Sequence, residues 1–215
     1  MLDRLPVRHT ILLDIDDQAL APEGTLAYGA LVDAIAPAAD VAPTSPADPA
    51  VLHFTSGTTG TPKGALHVHG AVAMHRATTE DVFGLERGDV YWCTADPGWV
   101  TGTSYGIIGP LTVGATLVVD EAEFDAERWY RILAAQRVQV WYTAPTAIRM
   151  LVHAGSELGG RFDLSSVRSA FSVGEPLSAD AVHWGRAHLG ITFRDTWWQT
   201  ETGAIMIANS ADDVV

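Results

Sequence analysis

From residue 50 onward, short apolar runs alternate with stretches of helical periodicity, and this limits the fold more than any other feature. The runs are VLHF (51–54), VYWCT (90–94), TLVV (116–119), VQVWY (138–142), VRSAFSV (167–173) and ITFRD (191–195). Helical patterns lie between them, near 69–83, 104–113, 125–136, 146–154 and 178–189. Within 124–136, Phe124, Trp129, Ile132 and Leu133 fall on one helical face. Ser178 is a suitable N-cap and Gly190 a suitable stop for the helix between them. Alternation of this kind implies an α/β fold, a layered and largely parallel sheet with flanking helices. Ahead of it, VRHTILL (7–13) reads as a strand and TLAYGALVDAIA (25–36) as a short amphipathic helix. APAADVAPTSPADP (36–49) has four prolines and no aromatic residue, so it reads as a connection. Two parts are expected, 1–49 and 50–215.

Composition narrows the class of function. The 215 residues suffice for one large domain or two small ones, and 47% hydrophobic with 18% charged residues is globular. A net charge of -13 without a basic stripe argues against a nucleic-acid partner. A single cysteine, Cys93, excludes an intramolecular disulfide and a multi-cysteine zinc site, and fits a reducing, cytoplasmic setting. The start, MLDRLPVRHT, lacks the apolar core of a signal peptide. The longest apolar runs are too short to span a bilayer, so no membrane partner is expected.

The stretch FTSGTTGTPKG (54–64) carries three glycines, four threonines, a serine, a proline and one lysine. Glycines admit a close backbone approach, hydroxyls and amides donate to phosphate oxygens, and Lys63 adds a mobile charge. A surface turn has a similar composition. From Gly57 the spacing runs to Pro62, Lys63 and Gly64, which departs from the mononucleotide P-loop and disfavours a phosphotransferase. Four other unusual stretches are TADPGWVTG (94–102), TAPT (143–146), GEP (174–176) and DTWWQTETG (195–203). All five follow predicted strands, at the edge where open α/β sheets bind ligands, so a composite site is expected there.

TSGTTGTPKG resembles the phosphate-binding signature of the AMP-forming acyl-adenylating superfamily. YWCTADPGWVTGTSYGIIGPL, VWYTAPTAIRML, SVGEPL and DTWWQTETG look more narrowly like the acetyl-CoA synthetases, the AMP-forming acetate–CoA ligases, over about residues 50–209. The resemblance implies attack of acetate on the α-phosphate of MgATP, then displacement of AMP by CoA. It implies that Thr55, Ser56, Gly57, Thr58, Thr59, Gly60 and Lys63 hold the β- and γ-phosphates. Gly174, Glu175 and Pro176 would border the adenine, and Asp195, Thr196, Trp197, Trp198, Gln199 and Thr200 the adenosine and α-phosphate. Glu201 would bind Mg²⁺, and Trp99, Val100, Thr101, Val173 and Trp198 would form the acyl pocket. Lys63, Thr200 and Glu201 are the implied catalytic residues.

The family's ribose-binding aspartate motif, hinge and small C-terminal domain, with its adenylation lysine, have no match here. The chain therefore reads as an internal piece of the large domain of such a synthetase. It is expected to be inactive alone and to self-associate; the alternative is a non-catalytic nucleotide-binding or interaction fragment. Trp92, Trp129, Trp141 and Trp184 read as core. His67, His69 and His75 read as helix-surface residues rather than metal ligands, and Cys93 as a buried inert thiol. Asp120, Glu121 and Glu123 read as a solvated helix entry.

Overall fold

A computed structural model of the chain describes residues 7–36, 40–56 and 60–209. It divides into two compact units, Met1–Pro43 and Thr44–Val215. In the first, β1 (Ile11–Leu12) pairs in parallel with β2 (Leu26–Ala27), which runs into α1 (Tyr28–Ala34). The Gln18 side chain holds the turn between them, donating to the Thr25 carbonyl at 3.0 Å and accepting from the Ala27 amide at 2.8 Å. Only Ile11 and Leu12 of the run at 7–13 are extended as a paired strand.

The second unit begins with an antiparallel ribbon of β3 (Pro49–Thr55) and β4 (Lys63–Val68), then α2 (Ala71–Asp81). Five parallel strands follow: β5 (Val90–Cys93), β6 (Thr116–Leu117), β7 (Val140–Thr143), β8 (Ser169–Ser172) and β9 (Phe193–Trp197). With the antiparallel edge strand β10 (Ile207–Ala208) they form one sheet in the order β10-β9-β8-β7-β5-β6. Helical segments connect them: a π-type turn (Gly102–Ile108) with α3 (Gly109–Val113), then α4 (Ala126–Ala135), α5 (Pro145–Ala154), α6 (Ser156–Gly159) and α7 (Ala179–Trp184). The expected layered, largely parallel sheet with flanking helices is therefore observed.

Successive side chains of a strand point to opposite faces, and here both faces are apolar. Trp92, Trp141, Ala170 and Phe193 enter one core with Trp129, Tyr130 and Leu133 of α4 and Ile148 and Leu151 of α5. Tyr91, Val140, Tyr142 and Phe171 enter the other with Phe83, Leu85 and Tyr105. Trp92, Trp129 and Trp141 are buried and Trp184 packs against the same core, as their positions on elements led one to expect. Asp125 caps α4 by accepting from the Arg128 amide, and Ser178 caps α7 by accepting from the Ala181 amide. Gly190, in the left-handed region at φ 67, ends the turn that follows α7.

Two expectations need correction. VLHF does not join the parallel sheet: among the described residues β3 pairs with β4 alone, and the glycine-rich stretch connects the two strands of this separate ribbon. KGALHV alternates with period two, which suits a ribbon, and the helix starts later, at Ala71. The histidines are not helix-surface residues as a group. His67 is half-buried on β4, His69 lies before α2, and only His75 is on the helix, buried at 2% exposure.

Candidate active site

Strands β5, β7, β8 and β9 end on one edge because they are parallel, and four of the five singled-out stretches gather there. The chain leaves β5 for β6 on one side and returns to β7 on the other, so the strand order reverses beside β5. A crevice outside strand ends at such a reversal is where open α/β sheets place ligands. A cavity of about 250 Å³ opens there, lined by Thr94, Ala95, Trp99, Thr101, Tyr142, Thr143, Val173 and Gly174 among others. Thr94 Oγ1 and Thr143 Oγ1 share a hydrogen bond at 2.7 Å on its wall. Trp99 is 73% exposed at its mouth. Val100 turns away and packs with the Tyr105 core, and Trp198 stands behind Tyr142 instead of lining the cavity.

Trp198 is held by an ordered set of donors. Thr196 Oγ1 donates to the Ser172 carbonyl at 2.8 Å, which uses its only proton. Tyr142 Oη must then donate to Thr196 Oγ1 at 2.8 Å and accept from Trp198 Nε1 at 3.2 Å. Burial raises the Tyr142 phenol well above its ordinary value, so it keeps its proton. Thr196 is itself buried, with its hydroxyl committed to the protein. Tyr105 packs edge-on to Trp198 at 5.1 Å from the other side.

The GEP loop is tied at both ends. Gly174 sits at φ +94, a conformation that favours glycine. Glu175 pairs with Arg149 of α5 at 2.5 Å and accepts from Thr146; the Arg149 hydrogen bond, then that of Thr146, holds its carboxyl below the usual range. Pro176 is exposed. Asp195 accepts from Ser172 Oγ at 2.8 Å and from the Leu177 amide at 3.4 Å, joining the far end of the loop to β9.

Trp197, the last residue of β9, is half-exposed, and beyond it Gln199 and Glu201 are exposed around the half-buried Thr200. The turn is closed by the Thr202 and Gly203 amides, which both donate to the Gln199 carbonyl at 3.1 Å. Among the described residues no group of three or more His, Cys, Asp or Glu side chains could hold a metal. A hard cation at Glu201 would thus take one protein carboxylate and complete its shell from substrate oxygens, a set that suits Mg²⁺. In the hairpin, Thr55 and Lys63 face each other as the last cross-strand pair, and Lys63 and Ser56 are exposed. Gly60 lies at φ +79, and Gly57, Thr58 and Thr59 fall outside the described residues. Sequence reasoning singled out Thr143 only as part of TAPT, and gave no site role to Tyr142, Arg149, or His67 and His75, which reach the 199–203 turn; only the alternation of KGALHV carried a signal, for His67.

The sequence profile of the AMP-binding enzymes matches residues 2–215, and the chain belongs to that family. Its relatives narrow the class. The acetyl-coenzyme A synthetase of Bacillus subtilis (strain 168) is 51% identical over 159 residues, 74% of this chain and 28% of that protein. That of Brucella anthropi is 43% identical over 193 residues, 86% of this chain and 30% of that protein. The crystal structure of an acyl-CoA synthetase from Brucella canis superposes with a TM-score of 0.83 at 34% identity, covering 88% of this chain and 34% of the other. The chain thus spans roughly a third or less of the length of these relatives.

Proposed function

We propose that this chain supplies the acid-activating site of an AMP-forming acetate–CoA ligase. Acetate attacks the α-phosphorus of ATP, pyrophosphate leaves, and the thiolate of CoA then displaces AMP from the acetyl-adenylate. The observation that carries this reading is the cavity at the strand-order reversal. Its volume of about 250 Å³ lies below the roughly 300–1,000 Å³ of pockets for larger ligands. The names of the matched relatives and the glycine-threonine hairpin support the same reading.

In this scheme the cavity holds the acyl group, with Thr101, Val173 and Trp99 on its wall and Val100 and Trp198 behind it. The exposed Lys63 and the hairpin loop bind the β- and γ-phosphates. Gly174, Glu175 and Pro176 border the adenine, while Asp195, Trp197, Gln199 and Thr200 shape the nucleotide cleft. The buried Thr196 acts only by fixing Tyr142. Mg²⁺ held at Glu201 supplies charge neutralisation on the phosphates. The protein positions the reactants and stabilises developing charge, with no covalent nucleophile.

The test is a chimera in which this chain replaces the matching segment of the Bacillus subtilis relative. Acetate-dependent exchange of pyrophosphate into ATP is expected, as is its loss, with weaker ATP binding, in Lys63→Ala. A folded chimera that binds ATP but shows no exchange would favour a non-catalytic nucleotide-binding segment. In the same chimera, Trp198→Gly should open the space behind Tyr142 and Val173. Each methylene newly buried is worth about 0.8 kcal/mol, and each one rejected now costs roughly 1–3 kcal/mol. Acetate activity should fall and activity on acids of about four to six carbons should rise, about one indole's length. An unchanged chain-length profile in kcat/KM would remove Trp198 from control of the pocket.

A further inference from the structure

Two histidines with no part in the chemistry above reach across the molecule to one short turn. His67 of β4 lies 2.7 Å through Nε2 from the Thr200 carbonyl, and His75 of α2 lies 2.7 Å through Nε2 from the Gly203 carbonyl. The two bonds bracket Glu201 and Thr202. A carbonyl can only accept, so both rings carry their hydrogen on Nε2. His75 is 2% exposed, and its Nδ1 has no hydrogen-bond partner among the described residues. A second proton on that ring would therefore be buried and unpaired. Burial, foremost, and the nearby His67 lower the affinity of His75 for that proton, against the effect of the Gly203 bond.

The surroundings converge on the same turn. Gly203 adopts φ +76 and is itself buried, and a Cβ there would lie 3.7 Å from the His67 ring. The His75 ring packs edge-on to Tyr105 at 5.6 Å. Tyr105 Oη accepts from the Ile205 amide at 2.8 Å and shares a hydrogen bond with Thr78 of α2. Lys63, Ala65 and His67 alternate onto one face of β4. The strand that closes the glycine-threonine loop is thus the strand that grips the turn.

We propose that His67 and His75 are positioning residues: as Nε2–H donors they fix the Gln199–Gly203 turn, and with it Glu201, against the hairpin that carries the glycine-threonine loop. The grip follows from the geometry, and its use in placing Glu201 for a nucleotide rests on the proposed function.

Hydrogen exchange on this chain tests the grip without reference to activity. His67→Phe and His75→Phe keep a ring and lose the donor, whereas His67→Gln and His75→Gln keep an N–H near the Nε2 position. The amides of Thr202, Gly203, Ile205 and Met206 all have partners in or beside the turn. They should exchange about three- to tenfold faster in the Phe variants, the loss expected for one net hydrogen bond, and near the parent rate in the Gln variants. Unchanged exchange in folded Phe variants, or equal acceleration by Phe and Gln, would overturn the proposal. If His75→Phe does not fold, the half-buried His67 decides by the same comparison. Imidazole ¹⁵N spectra should show Nε2–H on both rings, and Nδ1–H on either would also overturn it. In the chimera, the Phe variants should raise KM for MgATP about tenfold with KM for acetate within about twofold; equal rises would sink the placing of Glu201. A chimera that never exchanges pyrophosphate, beside exchange data as expected, would leave the grip standing and refute the proposed function instead.

Discussion

Strands β7 and β8 bury every side chain they carry, whereas β3 and β4 bury none fully. Both pairs are rich in apolar residues. The difference lies in what covers them. VWYT and SAFS have helices over both faces, as a parallel sheet requires, so continuous apolar sequence is satisfied. The ribbon has one half-buried face, with Val51, His53, Ala65 and His67, and one open face with Leu52 52%, Phe54 69% and Leu66 58% exposed. A central sheet closes on its own helices; a two-stranded ribbon has to borrow its cover.

Substitutions can sharpen this contrast. The largest effect is expected at Trp141, fully buried and stacked on Trp92 at 6.4 Å. Trp141→Ala should cost about 3–5 kcal/mol in urea unfolding, and a loss under about 1 kcal/mol would show that the sheet core tolerates a void. Next comes Cys93, at the end of β5; it is half-buried on the cavity wall and not fully buried as its sequence position suggested. Burial pushes its thiol up to about 11 from 9.0, against hydrogen bonds involving Ala95 and Tyr91. Alkylation of the native chain at neutral pH should be about a hundredfold slower than in urea, following the thiolate fraction. Comparable rates in both states would place the thiol in water.

A smaller effect is expected from acid. The affinity of His75 for a proton is lowered by burial, so the unfolded chain takes up a proton first as pH falls through its unfolded value of 6.5. Stability should be level above that pH and decline below it, until the folded ring also titrates. His53, lowered by burial and then by His67, adds in the same direction. The urea midpoint at pH 5.5 should lie below that at 7.5, and His75→Gln should lessen the difference; an equal difference in both would assign it elsewhere. The smallest effect on stability belongs to the open face of the ribbon. Phe54→Lys with Leu66→Lys should change unfolding by no more than about 0.5 kcal/mol per site. The same pair should abolish the self-association expected of the exposed face, as read by light scattering. A parent chain already monodisperse and blind to hydrophobic dye would contradict that expectation.

The regions also differ in how far sequence reveals them. β5, β7, β8 and α4 lie close to where periodicity puts them, because local pattern and tertiary burial agree there. β9 is displaced toward 197 because Gly190 turns left-handed and the Ile191 amide caps back onto the Gly185 carbonyl, so extension starts only at Phe193. β10 pairs at two positions, too few to leave a pattern. For β3, alternation marks a strand but is silent on its partner, and pairing with β4 rather than β5 is a tertiary choice. The site shows the same division. Motif residues at strand ends were legible, but Tyr142 looks like an ordinary core residue and His75 like a helix-surface one in sequence, and both gain meaning only from atoms 54 and 128 residues away.

The direction of the Tyr142 bond bears on what a guest in the cavity can feel. Its proton is committed to Thr196, so this wall offers an arriving carboxylate ring carbon and no donor. The Thr94–Thr143 pair keeps one of its two protons for itself, leaving one hydroxyl hydrogen to share. The inner side of the cavity is therefore nearly mute toward anions. Under the proposed function, an acid entering this cavity would sit tail inward, with its carboxylate toward the open side.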